Sequence, residues 1–231
     1  MSSRDKKFVP REYYHIYNRG NNKQIIFLDE EDYDHFQKLL YACNTKFNFS
    51  FKSSVIEQNI DAFDYDRDSP LINILSWTLM PNHFHLLLSS DREDLWLENY
   101  NPISEYMRKL STAYVMYFNN KHNRSGTIFE GKFKSRHIDK ENYFNYVFSY
   151  IHLNPLKIIN KNWKTDGIGD VAKIARFLKE YKHSSCCDFL DNKERRKEFK
   201  IINVSKIPNH LKNLNIKNLL GIFQRSDLGK L

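Results

Sequence analysis

The chain has 231 residues, room for one large domain or a core with an appendage. Lys and Arg number 36 against 28 Asp and Glu, and the net charge of +8 favours a polyanionic partner. No apolar run nears the roughly 18 residues needed to cross a bilayer, the start lacks the apolar stretch of a secretory signal, and 3 cysteines can build neither a disulfide framework nor a four-thiolate zinc site; the expectation is a soluble, reduced, cytoplasmic protein without a membrane partner.

In chain order, Tyr13 to Tyr17 is aromatic and β-branched and predicts a strand, ending at the turn-like Asn18 to Asn22. Asp29 to Phe47 predicts a helix, opened by clustered acids and striped by Phe36, Leu39, Leu40 and Cys43. Phe49 to Ile56 is expected as a strand and Asp61 to Pro70 as an acidic loop. Leu71 to Met80 and His83 to Ser89 read as strands joined tightly by Pro81 and Asn82. A second helix is expected over Ser104 to Asn120 with Ser104 as its cap, then an extended run from Thr127 to Ile138. A third helix spans Lys140 to Leu153, with Pro155 as its stop because the residue before a proline is pushed out of the α region. Strand pairs interleaved with helices predict an α+β domain with an antiparallel sheet. Beyond Asn160 the chain is more polar, with helical patterns at Asp170 to Tyr181 and Asn209 to Phe223 and a charged run from Lys193 to Lys200 between them. This tail reads as a helical appendage.

Three patterns are set aside. Gly126 to Lys132 has phosphate-loop spacing, but Phe133 stands where Ser or Thr is required and the glycines follow a helix instead of opening one. Asp64, Asp66 and Asp68 alternate like a calcium loop, yet Ser69 replaces the turn glycine and Leu75 the closing Glu. Cys186 and Cys187 have no spacer between them for a redox or zinc pair. Glycine is scarce, at 7 residues, which argues against a glycine-rich nucleotide cradle, and no small-molecule cofactor is expected.

Three segments carry chemistry. On a strand, His83 and His85 share one face and Phe84, Leu86 and Leu88 the other, so two imbued faces result: an apolar one to pack and one with paired imidazoles. Such a pair chelates a metal ion, or is simply two histidines on a polar strand face. On the third helix Tyr150 and Asn154 are i and i+4, about 6 Å apart along the axis. They form either a nucleophile beside a hard oxygen ligand, with Tyr146 as the rival nucleophile, or a packing tyrosine beside a C-cap. From Lys121 to Arg136, the cations Lys121, Arg124, Lys132, Lys134 and Arg136 oppose a single acid, Glu130, with Phe129 and Phe133 interleaved. That combination suits single-stranded nucleic acid, or a solvated strand edge.

Together the runs Tyr14-His-Ile-Tyr-Asn-Arg-Gly-Asn21, Met80-Pro-Asn-His83-Phe-His85, Arg124-Ser-Gly-Thr-Ile-Phe-Glu-Gly-Lys-Phe-Lys134 and Tyr150-Ile-His-Leu-Asn-Pro155 resemble the REP-associated tyrosine transposases, of the single-tyrosine HUH class of insertion-sequence transposases. The resemblance covers residues 8–160, taken as the catalytic domain, and leaves 161–231 as the helical, DNA-contacting appendage. It implies a ferredoxin-like antiparallel sheet with flanking helices, the HUH endonuclease fold. It implies His83, His85 and Asn154 as ligands of a divalent cation, Mg²⁺ or Mn²⁺, and Tyr150 as the nucleophile that nicks and rejoins single-stranded DNA near hairpins through a 5′-phosphotyrosine. DNA contacts are expected from Arg19, Asn21, Lys121, Arg124, Lys132, Lys134 and Arg136. The partner is single-stranded or hairpin DNA, the assembly a monomer or homodimer, and the competing reading a hairpin-binding protein without catalysis. The segment Asn48 to Pro70 is longer than the family pattern.

Overall fold

Tyr14 and Ile16 alternate with His15 and Tyr17, which gives the first strand two unlike faces. Strand β1 spans Tyr13–Arg19 in the computed structural model, which describes residues 8–97, 100–165, 169–190, 195–213 and 215–225. It takes in Asn18 and Arg19, expected as turn, and the turn itself is a short 3-10 stretch at Asn21–Lys23.

Helix α1 covers Glu30–Ala42, with the Asp29 side chain capping Asp32 N and Glu30, Glu31 and Asp32 in the first turn. It stops short of Phe47 because Asn44 leaves the helix to pair with Ile72: its Nδ2 donates to Ile72 O and its Oδ1 accepts from Ile72 N, both at 3.0 Å. The strand expected at Phe49 to Ile56 does not form. Lys52–Ile56 is a single wide helical turn, and Phe49 and Phe51 turn their rings onto Tyr65 and His35 instead of alternating across a sheet.

Strands β2 (Asn73–Met80) and β3 (His83–Ser89) form the expected hairpin through Pro81 and Asn82. Helix α2 runs Pro102–Lys121; its cap is Asn101, whose side chain accepts from Ser104 N at 2.9 Å, so Ser104 is a capped residue of the first turn and not itself the cap. Of the extended run after Thr127, only Lys134–Ile138 becomes a strand, β4. Helix α3 spans Glu141–Leu153. Pro155 does not stop the chain from coiling: Asn154 and Pro155 both stay right-handed helical, and Pro155 opens helix α4 (Leu156–Ile159), where its missing N–H costs nothing.

The four strands make one antiparallel sheet in the order β2-β3-β1-β4. With the chain order βαββαβ this is the ferredoxin-like arrangement. Helices α1 and α2 cover the face that carries Phe84, with Phe36 and Phe84 ring centroids 5.2 Å apart. Helix α3 packs across β2, β3 and β4 on the other face, where His83, His85 and His15 lie.

The C-terminal region is helical: α5 (Val171–Glu180, capped by Asp170), α6 (Cys186–Leu190), α7 (Asn209–Lys212) and α8 (Ile216–Arg225). The single helix expected over Asn209 to Phe223 is two, separated where Asn213 leaves helical geometry. These elements share the main core through Leu178, Cys186, Phe189, Leu211 and Leu219, joined by Ile201 from the 3-10 stretch Lys197–Ile201. Residues 183–185 hydrogen-bond along the outer edge of β2, with Leu79 N donating to His183 O at 2.8 Å and Ser185 N to Trp77 O at 2.9 Å. Lys193 and Glu194 of the charged run lie outside the described residues. Arg196 pairs with Asp188, Lys197 with Asp61 and Lys200 with Asp64, which binds the run to the fold.

One consequence is measurable in acid. His35 stacks on Tyr117 with centroids 3.7 Å apart, and burial holds its imidazole at about 4. The unfolded chain takes up this proton near pH 6.5 and the folded chain only near 4, so stability falls as pH drops through that window. His35→Gln is expected to remove ~1–2 kcal/mol of the loss between pH 7 and 4.5, read from urea melts at both pH values. An unchanged difference would mean that His35 does not contribute.

Candidate active site

Sheet register decides which side chains share the face under α3. Tyr17 pairs with His85 and Arg19 with His83 across β1 and β3, while Arg136 pairs with His15 and Lys134 with Tyr17 across β1 and β4. His15, Tyr17, His83, His85 and Arg136 therefore point the same way. From above, the i, i+4 spacing on α3 sets Tyr146, Tyr150 and Asn154 in a row. The two surfaces enclose a cleft of about 220 Å³ lined by His15, Tyr17, His85, Arg136, Tyr146, Tyr150 and Lys164 among others, with no Asp or Glu among its lining residues.

The Tyr150 ring meets His85 edge to face at 5.5 Å and His15 at 6.1 Å. The His83 and His85 rings are 5.1 Å apart and perpendicular. Tyr146 stacks between Tyr150 and Phe223. All three histidines are held neutral. Burial lowers His83 to about 4 and His15 to about 3, and takes His85 well below its ordinary value, with the neighbouring cations adding to the effect. Neutral imidazoles keep a lone pair for a ligand. At His83 the tautomer is fixed: Nδ1 lies 2.6 Å from Asn82 Oδ1, which can only accept, so the proton sits on Nδ1 and the lone pair on Nε2.

Asn154 is 2% exposed, and its Oδ1 is buried without a hydrogen bond of normal length. An orphaned amide oxygen in such a place costs ~1–3 kcal/mol unless something fills it. The same amide acts on both His83 and Tyr150. These donors fit a hard or borderline divalent cation: two imidazole nitrogens and one oxygen, all uncharged. Burial raises the Tyr150 phenol to about 12, with Tyr146 adding to the rise and the Asn154 amide opposing it.

Two contributors are not legible in the sequence spacing. His15 lies 2.9 Å from His85, Nε2 to Nδ1, through a strand pairing that only the sheet creates. Lys164 comes from a turn beyond residue 160 and sets its ammonium 4.2 Å from the centre of the Tyr150 ring, held below its ordinary pKa by burial and by Lys157.

The expected DNA-contacting residues divide. Lys132, Lys134, Arg136 and Asn21 are exposed, and Arg124, also exposed, donates to Gln24 Oε1. Arg19 forms an ion pair with Glu130. The Lys121 ammonium contacts Asp29 at 2.6 Å, Glu31 at 2.9 Å and Asp32 at 3.2 Å. Asp29, Asp32 and His122 are arranged closely enough to hold a metal ion, but Lys121 already supplies the positive charge there. A larger cavity of about 500 Å³ lies between α2 and residues 127–133; no His, Tyr, Asp or Glu lines it. No helix among the described residues is long and apolar enough to cross a membrane.

No family model matches the chain, and no curated protein matches it. Solved structures do. The chain is similar to a structure of a REP-associated tyrosine transposase bound to a REP hairpin, with a TM-score of 0.48 and 15% identity over 81% of this chain and 84% of that one. It is also similar to a candidate transposase from Deinococcus radiodurans R1, with a TM-score of 0.34 and 13% identity over 65% of this chain and 95% of that one.

Proposed function

We propose that the protein is a tyrosine transposase of the single-tyrosine HUH kind, which nicks and rejoins single-stranded DNA near hairpins. The observation that carries the reading is the orphaned Asn154 oxygen, buried where its amide acts on both the neutral His83 and Tyr150, whose ring in turn meets His85. The motif resemblance names His83, His85, Tyr150 and Asn154; the contacts of Tyr150 with His85 and of the Asn154 amide with His83 and Tyr150 support that reading.

His83, His85 and Asn154 would hold Mg²⁺ or Mn²⁺, and such an ion would polarise the scissile phosphate. Because all three donors are neutral, none of the ion's charge is cancelled by the protein. Imidazole suits Mn²⁺ better than Mg²⁺, so Mn²⁺ is expected to support the higher rate. Tyr150 Oη attacks phosphorus, its proton leaves to solvent, and the bond to the 3′ oxygen breaks, giving a 5′-phosphotyrosine and, after protonation, a free 3′-hydroxyl. A second 3′-hydroxyl attacking that phosphotyrosine reverses the step without ATP. Arg136 and Lys164 supply cations at the cleft for the phosphate and its neighbours.

The test is incubation with single-stranded hairpin oligonucleotides from the flanks of the gene, with Mn²⁺. An adduct that survives denaturation and disappears with EDTA supports the reading. Tight hairpin binding with no adduct overturns it in favour of a binding protein without catalysis.

A graded result is expected from salt titration. Lys164→Ala should weaken DNA binding and reduce the slope of log K against log salt by about 1, as one lost phosphate contact does. Lys121→Ala should leave that slope unchanged, since its ammonium is spent on carboxylates. The reverse pattern would remove Lys164 from the interface.

A further inference from the structure

We propose that His15 is a positioning residue that accepts a hydrogen bond from His85 Nδ1–H at its own Nε2, and so fixes His85 in the tautomer that presents Nε2 to a cation. The inference rests on the reading of His85 as a metal ligand and adds the group that sets its orientation.

The contact is 2.9 Å between His15 Nε2 and His85 Nδ1, and it is the only hydrogen bond of the His85 ring among the described residues. Both rings are buried, His15 at 8% and His85 at 7% exposure. Two neutral imidazoles at that distance share one proton between the facing nitrogens, so two arrangements exist. If His15 donates, His85 carries its proton on Nε2 and has no lone pair left for the cleft. If His85 donates, its Nε2 lone pair is free and its ring cannot rotate without breaking the bond. Only the second arrangement is compatible with ligation through Nε2.

His83 supplies the precedent within the same strand. There Asn82 Oδ1 accepts from Nδ1 and leaves Nε2 free. On this assignment His15 does for His85 what Asn82 does for His83. Histidine ligands commonly have their second nitrogen held by a carboxylate, a carbonyl or water. Here no carboxylate lines the cleft, and an imidazole takes that place. Arg136, the strand partner of His15, offers no acceptor that could replace it. His83, Lys164, Tyr17 and Tyr150 are the other groups facing the two rings, with Lys157 acting on His85 from further off.

The experiment uses the full chain, labelled with ¹⁵N in histidine, and three proteins: wild type, His15→Gln and His15→Phe. Gln keeps an acceptor; Phe keeps a ring but removes it. Two-bond nitrogen–proton correlation spectra of the metal-free proteins are expected to show His85 as Nδ1–H in wild type and as Nε2–H in His15→Phe. Mn²⁺ titration followed by electron paramagnetic resonance is expected to show affinity falling about 10–100-fold in His15→Phe and staying within about threefold in His15→Gln. His85 found as Nε2–H in wild type overturns the inference. So does equal Mn²⁺ affinity in wild type and His15→Phe, or equal loss in both variants, which marks a packing role. If His15→Phe does not fold, the wild-type tautomer and the Gln affinity still decide. Wild type that shows His85 as Nδ1–H but binds no Mn²⁺ overturns the metal reading and leaves the His15–His85 bond standing.

Discussion

Tyr150→Phe is expected to abolish the covalent protein–DNA product altogether while leaving hairpin binding within about twofold and the melting temperature within ~2 °C. The substitution removes one oxygen and nothing else from the packed ring. Among the described residues, no other phenol of α3 has a ring contact with His85 or His15. Tyr146 is sandwiched by Tyr150 and Phe223, and Tyr17, although its ring is 5.7 Å from His85, belongs to the sheet floor and not to the helix above it. A phenol held at about 12 is ionised in roughly one molecule in 10⁵ at pH 7, so Tyr150 depends on positive charge supplied in the cleft. Tyr17→Phe and Tyr146→Phe serve as the comparisons and should both retain the adduct. The readout is a denaturing gel with labelled oligonucleotide. An adduct that persists in Tyr150→Phe and vanishes in either comparison would transfer the nucleophile to that residue.

Asp32→Ala carries the largest expected effect on stability, a loss of ~3–5 kcal/mol, or roughly 10 °C in melting temperature for a chain of this size. Asp32 is 0% exposed. Its carboxylate accepts from Leu28 N at 2.7 Å, meets His122 Nε2 at 3.0 Å and pairs with Lys121 at 3.2 Å. Alanine leaves a backbone N–H and an imidazole nitrogen without their acceptor and takes away the buried partner of the Lys121 ammonium. Asp32→Asn keeps an acceptor for Leu28 and should cost only ~1–2 kcal/mol. Urea melts of the three proteins give the comparison. If alanine costs no more than asparagine, the cluster is hydrated and the buried-charge argument fails.

The parts of the fold that follow from local pattern are readable in the sequence. Alternation around His83-Phe84-His85 fixes which side of β3 carries the imidazoles, and the acids after Asp29 fix the start of α1. Errors arise where a distant partner outvotes the local signal. Phe49 and Phe51 alternate like a strand, but their rings find Tyr65 and His35 before any sheet edge does. Asn44 ends α1 early because Ile72, far along the chain, completes both of its hydrogen bonds. Pro155 follows a helix and also begins one, and a rule about the residue before proline sees only the first role. At the site, the Tyr150–Asn154 spacing and the His83–His85 pair are visible in one dimension, while His15 becomes visible only through the β1–β3 register and Lys164 only through the return of a turn onto α3.

The cover over the outer edge of β2 sets a clock on biosynthesis. Thr78 bridges to Ser184, so the strand emerges more than a hundred residues before the segment that shields it. At ~5–20 residues per second that interval is about 5–20 s, during which an apolar strand has one side unpaired beside every other nascent copy. The chain is therefore most exposed to misassembly before its synthesis is complete, and slower initiation or lower temperature should raise the yield of folded protein more than any change made to the finished surface.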